Sequence, residues 1–267
     1  MKNKGLIITL IILLAIIVIC LIAFLVVCLR ENIMFSKGFI FLGKKNTNKI
    51  FEQEYEAQDI ENLEILAESG DIKFEETSEE KIKIVVYGEN EEDVEVTLNE
   101  NKLKVDYTKY TKNKISFFNL RNQKNNITIY IPSNYSNTIN IKNKYGNCEI
   151  NDLENATIDI DCDCGNVELG KVKNAKIKCD YGNVEIENVL NKCDIKCDCG
   201  NVEIKKLEIN ENSSIKCDFG NIDIEEINDI NVQSEVDLGK TNISKNNTNS
   251  EITLILKCDC GNINIGK

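Results

Sequence analysis

The residues with the most chemistry in this chain are its cysteines. Twelve are present, and all but Cys20 and Cys28 fall in the C-terminal half. Three Cys-x-Cys pairs recur, at Cys162/Cys164, Cys197/Cys199 and Cys258/Cys260. On a strand, side chains two apart share a face, so each pair could offer two thiolates to a soft metal. The spacing lacks the Cys-x₂-Cys turn of ordinary zinc sites. Cys162, Cys179, Cys197 and Cys217 also fall at one position of a recurring phrase. If the phrases stack as neighbouring strands, their Cα atoms lie about 4.8 Å apart, within disulfide range but with parallel Cβ vectors that suit a disulfide poorly. The remaining chemistry is none: reduced thiols are among the most buried side chains and pack as small apolar groups. That is the reading adopted, with no metal and no cofactor expected.

Carboxylates are the second set. Asp163, Asp180, Asp198, Asp218, Asp237 and Asp259 recur beside Lys142, Lys178, Lys196, Lys216 and Lys257. A second series, Glu149, Glu168, Glu185, Glu203 and Asp223, has fewer lysines beside it. Stacked like charges repel, so this series could hold a divalent cation or meet a cationic surface. A polysaccharide-cleaving enzyme would need one carboxylate pair set apart from the rest, and here the carboxylates repeat evenly. With no histidine, the commonest general base and metal ligand is missing. The net charge of −12 excludes a nucleic-acid partner. The chain reads as a non-enzymatic protein; the alternatives are a polysaccharide-active β-helix enzyme or a thiol-based metal or redox protein.

The elements that must position these residues follow from the repeat itself. Phrases of the type Cys179-Asp-Tyr-Gly182-Asn-Val-Glu-Ile186 place glycines at Gly70, Gly146, Gly165, Gly182, Gly200, Gly220, Gly239 and Gly261. Asparagine follows at Asn147, Asn166, Asn183, Asn201, Asn221 and Asn262. From Gly146 onward the glycines step by 17 to 22 residues, the period of a solenoid. Ala175, Ile177, Cys179 and Tyr181 alternate with polar residues, then Val184 and Ile186 resume after an extra residue. The spacing predicts two short strands joined at a Gly-Asn bend, since both residue types tolerate unusual backbone angles.

Stacked in register, Ile141, Ile160, Ile177, Ile195 and Ile215 form an inward column. Ile150, Leu169, Ile186, Ile204, Ile224, Ile243 and Ile265 form another, and Leu153, Val172, Val189, Leu207 and Ile227 a corner. The asparagines are expected to form an amide ladder. Cys164, Tyr181, Cys199, Phe219, Leu238 and Cys260 are expected to be a further inward column, alternating small and large.

The rest of the chain is different. Leu6–Leu29 is an uncharged run of 24 residues with one clearly polar member, Thr9, and as a helix of about 36 Å it crosses a bilayer. It is read as a retained signal anchor, residues 1–30, with Lys2 and Lys4 kept inside and the C-terminal part outside the cell membrane. Residues 31–57 are read as an interfacial segment and linker. Residues 58–135 are read as an irregular β region, a first coil around Gly70 plus cap-like hairpins, one of them turning between Leu98 and Leu103. Residues 136–267 are read as the regular parallel β-solenoid of an all-β protein. In chain order the coil of Gly261 ends the stack, and its open edge invites edge-to-edge self-association.

The apolar anchor, Ser69-Gly70-Asp71-Ile72, the junction Ile131-Pro132-Ser133 and the serial Gly-Asn-Val-Glu-Ile phrases resemble a bacterial family of β-strand-repeat proteins known as putative adhesins, some of them in envelope-stress operons. The resemblance covers roughly residues 58–267. It implies a membrane-tethered β-solenoid in a low-GC Gram-positive bacterium, with no established activity and no catalytic residue to carry across. Its expected partners are the membrane and envelope polymers or surface proteins.

Overall fold

The computed structural model describes residues 34–36, 39–41, 48–88, 90–109 and 126–266. The anchor expected at Leu6–Leu29 lies outside them. Among the described residues no helix is long and apolar enough to cross a membrane. The chain forms two units, and in the smaller one β1 (Met34–Ser36) runs antiparallel to β2 (Phe39–Phe41).

The larger unit is all-β. Its first strands are β3 (Asn48–Glu56), β4 (Asn62–Ala67), β5 (Asp71–Thr77), β6 (Lys81–Gly88), β7 (Glu95–Asn99), β8 (Lys102–Tyr107) and β9 (Asn126–Pro132). Then come β10 (Thr138–Tyr145), β11 (Cys148–Ile150), β12 (Leu153–Cys164), β13 (Val167–Tyr181), β14 (Val184–Cys199) and β15 (Val202–Leu207). The last are β16 (Ser213–Phe219), β17 (Ile222–Ile227), β18 (Asn231–Leu238), β19 (Thr241–Ile243), β20 (Thr253–Cys260) and β21 (Ile263–Ile265). From β10 to β17 each coil pairs in parallel with the next, in the register the repeat implies: Ile141 faces Ile160, then Ile177, Ile195 and Ile215. These isoleucines are buried, each worth about 1.5–3 kcal/mol of transfer from water.

The coils do not stack in chain order at either end. β20 pairs with β16 on one side and β18 on the other, and β21 lies between β17 and β19. The last coil in sequence is therefore enclosed, and the coil of β18 and β19 is outermost. This corrects the expectation that the Gly261 coil presents the open edge. Composition gives the reason. Leu254, Leu256, Cys258, Ile263 and Ile265 are buried and need cover on both sides, whereas the β18–β19 coil carries exposed Ser234 in the inward column and Lys240 in place of asparagine. A polar coil is the one that can end a stack. Part of its free edge is closed by Asn246, whose amide both accepts from the Val232 N–H at 2.9 Å and donates to its carbonyl at 3.0 Å.

The other end mirrors this. β4 and β5 stack on β10 and β11, while β8 and β9, later in sequence, pair in parallel on their outer side. Residues 58–135 thus contribute coils as well as hairpins. Antiparallel strands then cover the end: β7 lies along β8, β6 along β9, and β3 along β6. The Leu98–Leu103 pairing closes the expected hairpin. The stretch read as linker supplies β3, with Tyr55 packed against the core.

Candidate functional site

Everything distinctive in this solenoid is built at the Gly-Asn bend. Gly182 has φ of 154°, and a Cβ there would lie 2.0 Å from the Gly165 carbonyl oxygen of the adjacent coil. Side chains are therefore excluded from this column of bends, which explains the glycine at each of them. The asparagine after it hydrogen-bonds from coil to coil as expected, with amide-to-amide bonds from Asn221 to Asn201 at 3.5 Å and from Asn262 to Asn221 at 3.2 Å, but the main link is to the backbone. Its side-chain oxygen accepts the backbone N–H of the next coil's asparagine: Asn166 N–H to Asn147, Asn183 to Asn166, Asn201 to Asn183, Asn221 to Asn201 and Asn262 to Asn221, all at 2.9–3.0 Å. Asp71 begins the series by accepting from Asn147 at 3.0 Å. Lys240 ends it by donating its N–H to Asn262 at 3.1 Å. As the outermost coil it has no further N–H to receive, so no acceptor is needed there.

The buried cysteine column has a matching role. Cys162, Cys179, Cys197, Cys217 and Cys258 are stacked and almost wholly buried. Their thiols donate to the glycine carbonyls of the preceding coil: Cys179 to Gly165 at 3.5 Å, Cys197 to Gly182 at 3.5 Å, Cys217 to Gly200 at 3.2 Å and Cys258 to Gly220 at 3.2 Å. Those carbonyls point inward at the bend, outside the strand ladder, and a buried acceptor without a donor is costly. Cysteine supplies a donor in the volume of a small apolar residue. Where the column begins, Asn143 replaces it and its amide donates to both Gly70 and Gly146 carbonyls at 3.0 Å. All ten described cysteines are free thiols. Hydrogen bonding with Cys162 and Cys197, then burial, pushes the Cys179 thiol up, and burial, followed by the charge of the adjacent aspartate, raises Cys258 and the enclosed Cys193.

The other cysteine column is not where the alternation placed it. In the order of the stack it reads Tyr145, Cys164, Tyr181, Cys199, Phe219, Cys260, Leu238. The large members are 57%, 63%, 61% and 71% exposed, and the three cysteines between them are half-buried. The chain begins to turn before the glycine, so this residue swings outward although it lies two beyond an inward cysteine. The Cys-x-Cys pairs are split between core and surface as a result, with Cys162, Cys197 and Cys258 inside and Cys164, Cys199 and Cys260 outside. Among the described residues no three ligating groups come together as a metal site. In the swapped order of the coils the alternation of large and small, only partial in sequence order, becomes complete. The outcome is an exposed ridge with a large apolar side chain at every second coil, about 9.6 Å apart.

On the aspartate side of the ridge the central carboxylates are paired with lysines. Lys178 bonds Asp180 at 2.7 Å, Lys196 bonds Asp198 at 2.7 Å, and Lys216 bonds Asp218 at 2.8 Å. The Asp180 contact holds Lys178 up at about 12. The glutamate column is less compensated. Lys73 reaches Glu149 at 3.1 Å and Asn264 donates to Asp223 at 2.8 Å, but Glu168, Glu185 and Glu203 have no ion pair among the described residues. They line a shallow groove of about 340 Å³.

Comparison with known proteins adds the following. A family model described as Toastrack DUF4097 matches residues 60–267, the stretch on which the sequence resemblance rests. Among solved structures the chain is similar to a putative cell adhesion protein from Clostridium sporogenes ATCC 15579, at 14% identity, covering 81% of this chain and 98% of that one with a TM-score of 0.39. It is also similar to a putative adhesin from Bacteroides fragilis NCTC 9343, at 15% identity, covering 80% and 96% with a TM-score of 0.32. No curated protein matches it.

Proposed function

The chain belongs to the Toastrack DUF4097 family, and from that premise we propose that it is a non-enzymatic binding protein held at the outer face of the cell membrane. The apolar run Leu6–Leu29 acts as its anchor, and the solenoid is displayed outside. The observation that carries the binding role is the exposed ridge Tyr145–Tyr181–Phe219–Leu238, a line of the four most exposed large apolar side chains among the described residues. The evenly repeated carboxylates, without a pair set apart in an irregular loop, favour binding over polysaccharide cleavage.

Surface labelling of intact cells tests this reading. With a tag on the solenoid, brief protease treatment should remove the tag while cytoplasmic markers survive, and deletion of residues 1–30 should abolish membrane retention. A tag protected in intact cells and digested only after lysis would refute display.

A further inference from the structure

The ridge repeats at twice the coil spacing, and that period limits what can lie along it. A polymer docked parallel to the solenoid axis must present an apolar face about every 9.6 Å. An extended β-1,4-linked polysaccharide does this: successive pyranose rings are turned over, so every second ring offers the same C–H face at nearly that interval. We infer that the ridge binds a neutral β-1,4-linked polysaccharide, with alternate sugar rings stacked on Tyr145, Tyr181 and Phe219 and the intervening rings over the recesses at Cys164, Cys199 and Cys260. Leu238 extends the line by one further step.

The charges around the ridge select the neutral class. The Lys178–Asp180, Lys196–Asp198 and Lys216–Asp218 pairs beside the aromatics present donors and acceptors with no net charge, the complement of a hydroxyl-rich chain. A polyanion would meet a protein of net charge −12. A second copy of the chain is the competing occupant, since alternating large and small residues can interdigitate. Its area argues against it. Four side chains about six-tenths exposed offer on the order of 500 Å² per copy, short of the roughly 800 Å² a stable partner buries. The like charge of two copies opposes it further.

This inference rests on the ridge being the binding surface, but its test is separate from that of surface display. Full-length protein in a detergent without a sugar headgroup is titrated by calorimetry with cellohexaose and chitohexaose, and with the corresponding trimers. Saturable binding of a hexamer is expected, with the trimer weaker by about tenfold or more because it spans fewer aromatics. Tyr181→Ala should weaken hexamer binding about tenfold, and the double variant Tyr181→Ala/Phe219→Ala about a hundredfold. Tyr181→Phe should bind as wild type. Because these side chains are exposed, the melting temperature of each variant should stay at the wild-type value, which separates lost binding from lost fold. The inference is overturned if neither hexamer binds, or if binding ignores the Tyr181→Ala change. It is equally overturned if sedimentation shows a dimer that Tyr181→Ala dissociates, which would make a second copy the occupant. Protected cells in the labelling experiment would remove the outer-face role while leaving a measured oligosaccharide affinity standing.

Discussion

The thiol of Cys217 donates to the carbonyl of Gly200, one coil away, at 3.2 Å. The contact joins the two features that recur most in this chain, the inward cysteine and the glycine bend. Replacing Cys217 by valine fills the volume but removes the donor, and should cost about 1–3 kcal/mol in urea denaturation. Cys217→Ser keeps a donor and should cost less than valine. The protein itself carries this substitution at one place: Val236 holds the equivalent position in the outermost coil, where it is half-exposed. If valine proved no worse than serine at 217, the thiols would be filler and nothing more.

The buried thiols also set a pH dependence. Burial raises Cys193 and Cys258 above the value an unfolded cysteine has. Below about pH 8.5 both states keep their protons and the contribution is fully present. Above it the unfolded chain releases protons that the folded chain retains, so stability falls as pH rises, by up to about 1.4 kcal/mol per pH unit for each such thiol. Urea midpoints should hold steady between about pH 7 and 8 and decline toward about pH 10. Cys193→Ala should lower stability at neutral pH and flatten that decline. An unchanged slope would contradict the assignment.

Thiol accessibility follows the same division. Under native conditions an alkylating reagent should modify Cys164, Cys199 and Cys260 first, and Cys148, Cys162, Cys179, Cys193, Cys197, Cys217 and Cys258 only on denaturation. Peptide mass spectrometry after a short native pulse distinguishes the two sets. Equal labelling of Cys162 and Cys164 would put both on one face after all.

The asparagine series makes an asymmetric prediction. Asn183→Ala leaves the Asn201 N–H without its acceptor and should destabilise by about 1–2 kcal/mol. Asn183→Asp should be milder, since Asp71 already performs this task for Asn147. Lys240→Ala should be nearly neutral, because Lys240 contributes its backbone and not its side chain. Thermal denaturation of the three variants ranks them directly.

Much of this fold was legible in the sequence because one period governs it. The glycine steps gave the coil length, and period-two alternation gave the inward columns, whose register Ile177 and Ile195 keep. Two things escaped. Alternation cannot say on which side of a bend the parity changes, so Tyr181 was counted inward when the turn begins just before Gly182. And stacking order is not written in spacing: any two coils with matching columns can be neighbours. A signal for it existed in the coil of β18 and β19, which lacks the post-glycine asparagine and carries Ser234 at an inward position. Those residues are what the end of a stack requires.

The enclosed position of the β20–β21 coil has a consequence for biosynthesis. This coil is translated after the one that lies outside it, so the structure cannot be completed by winding each new turn onto the last. Until Thr253–Ile265 has emerged, the apolar edge of β16 and β17 has no proper neighbour. A product cut short before residue 253 would therefore carry an open apolar surface that Thr253–Ile265 otherwise covers, a target for aggregation or proteolysis.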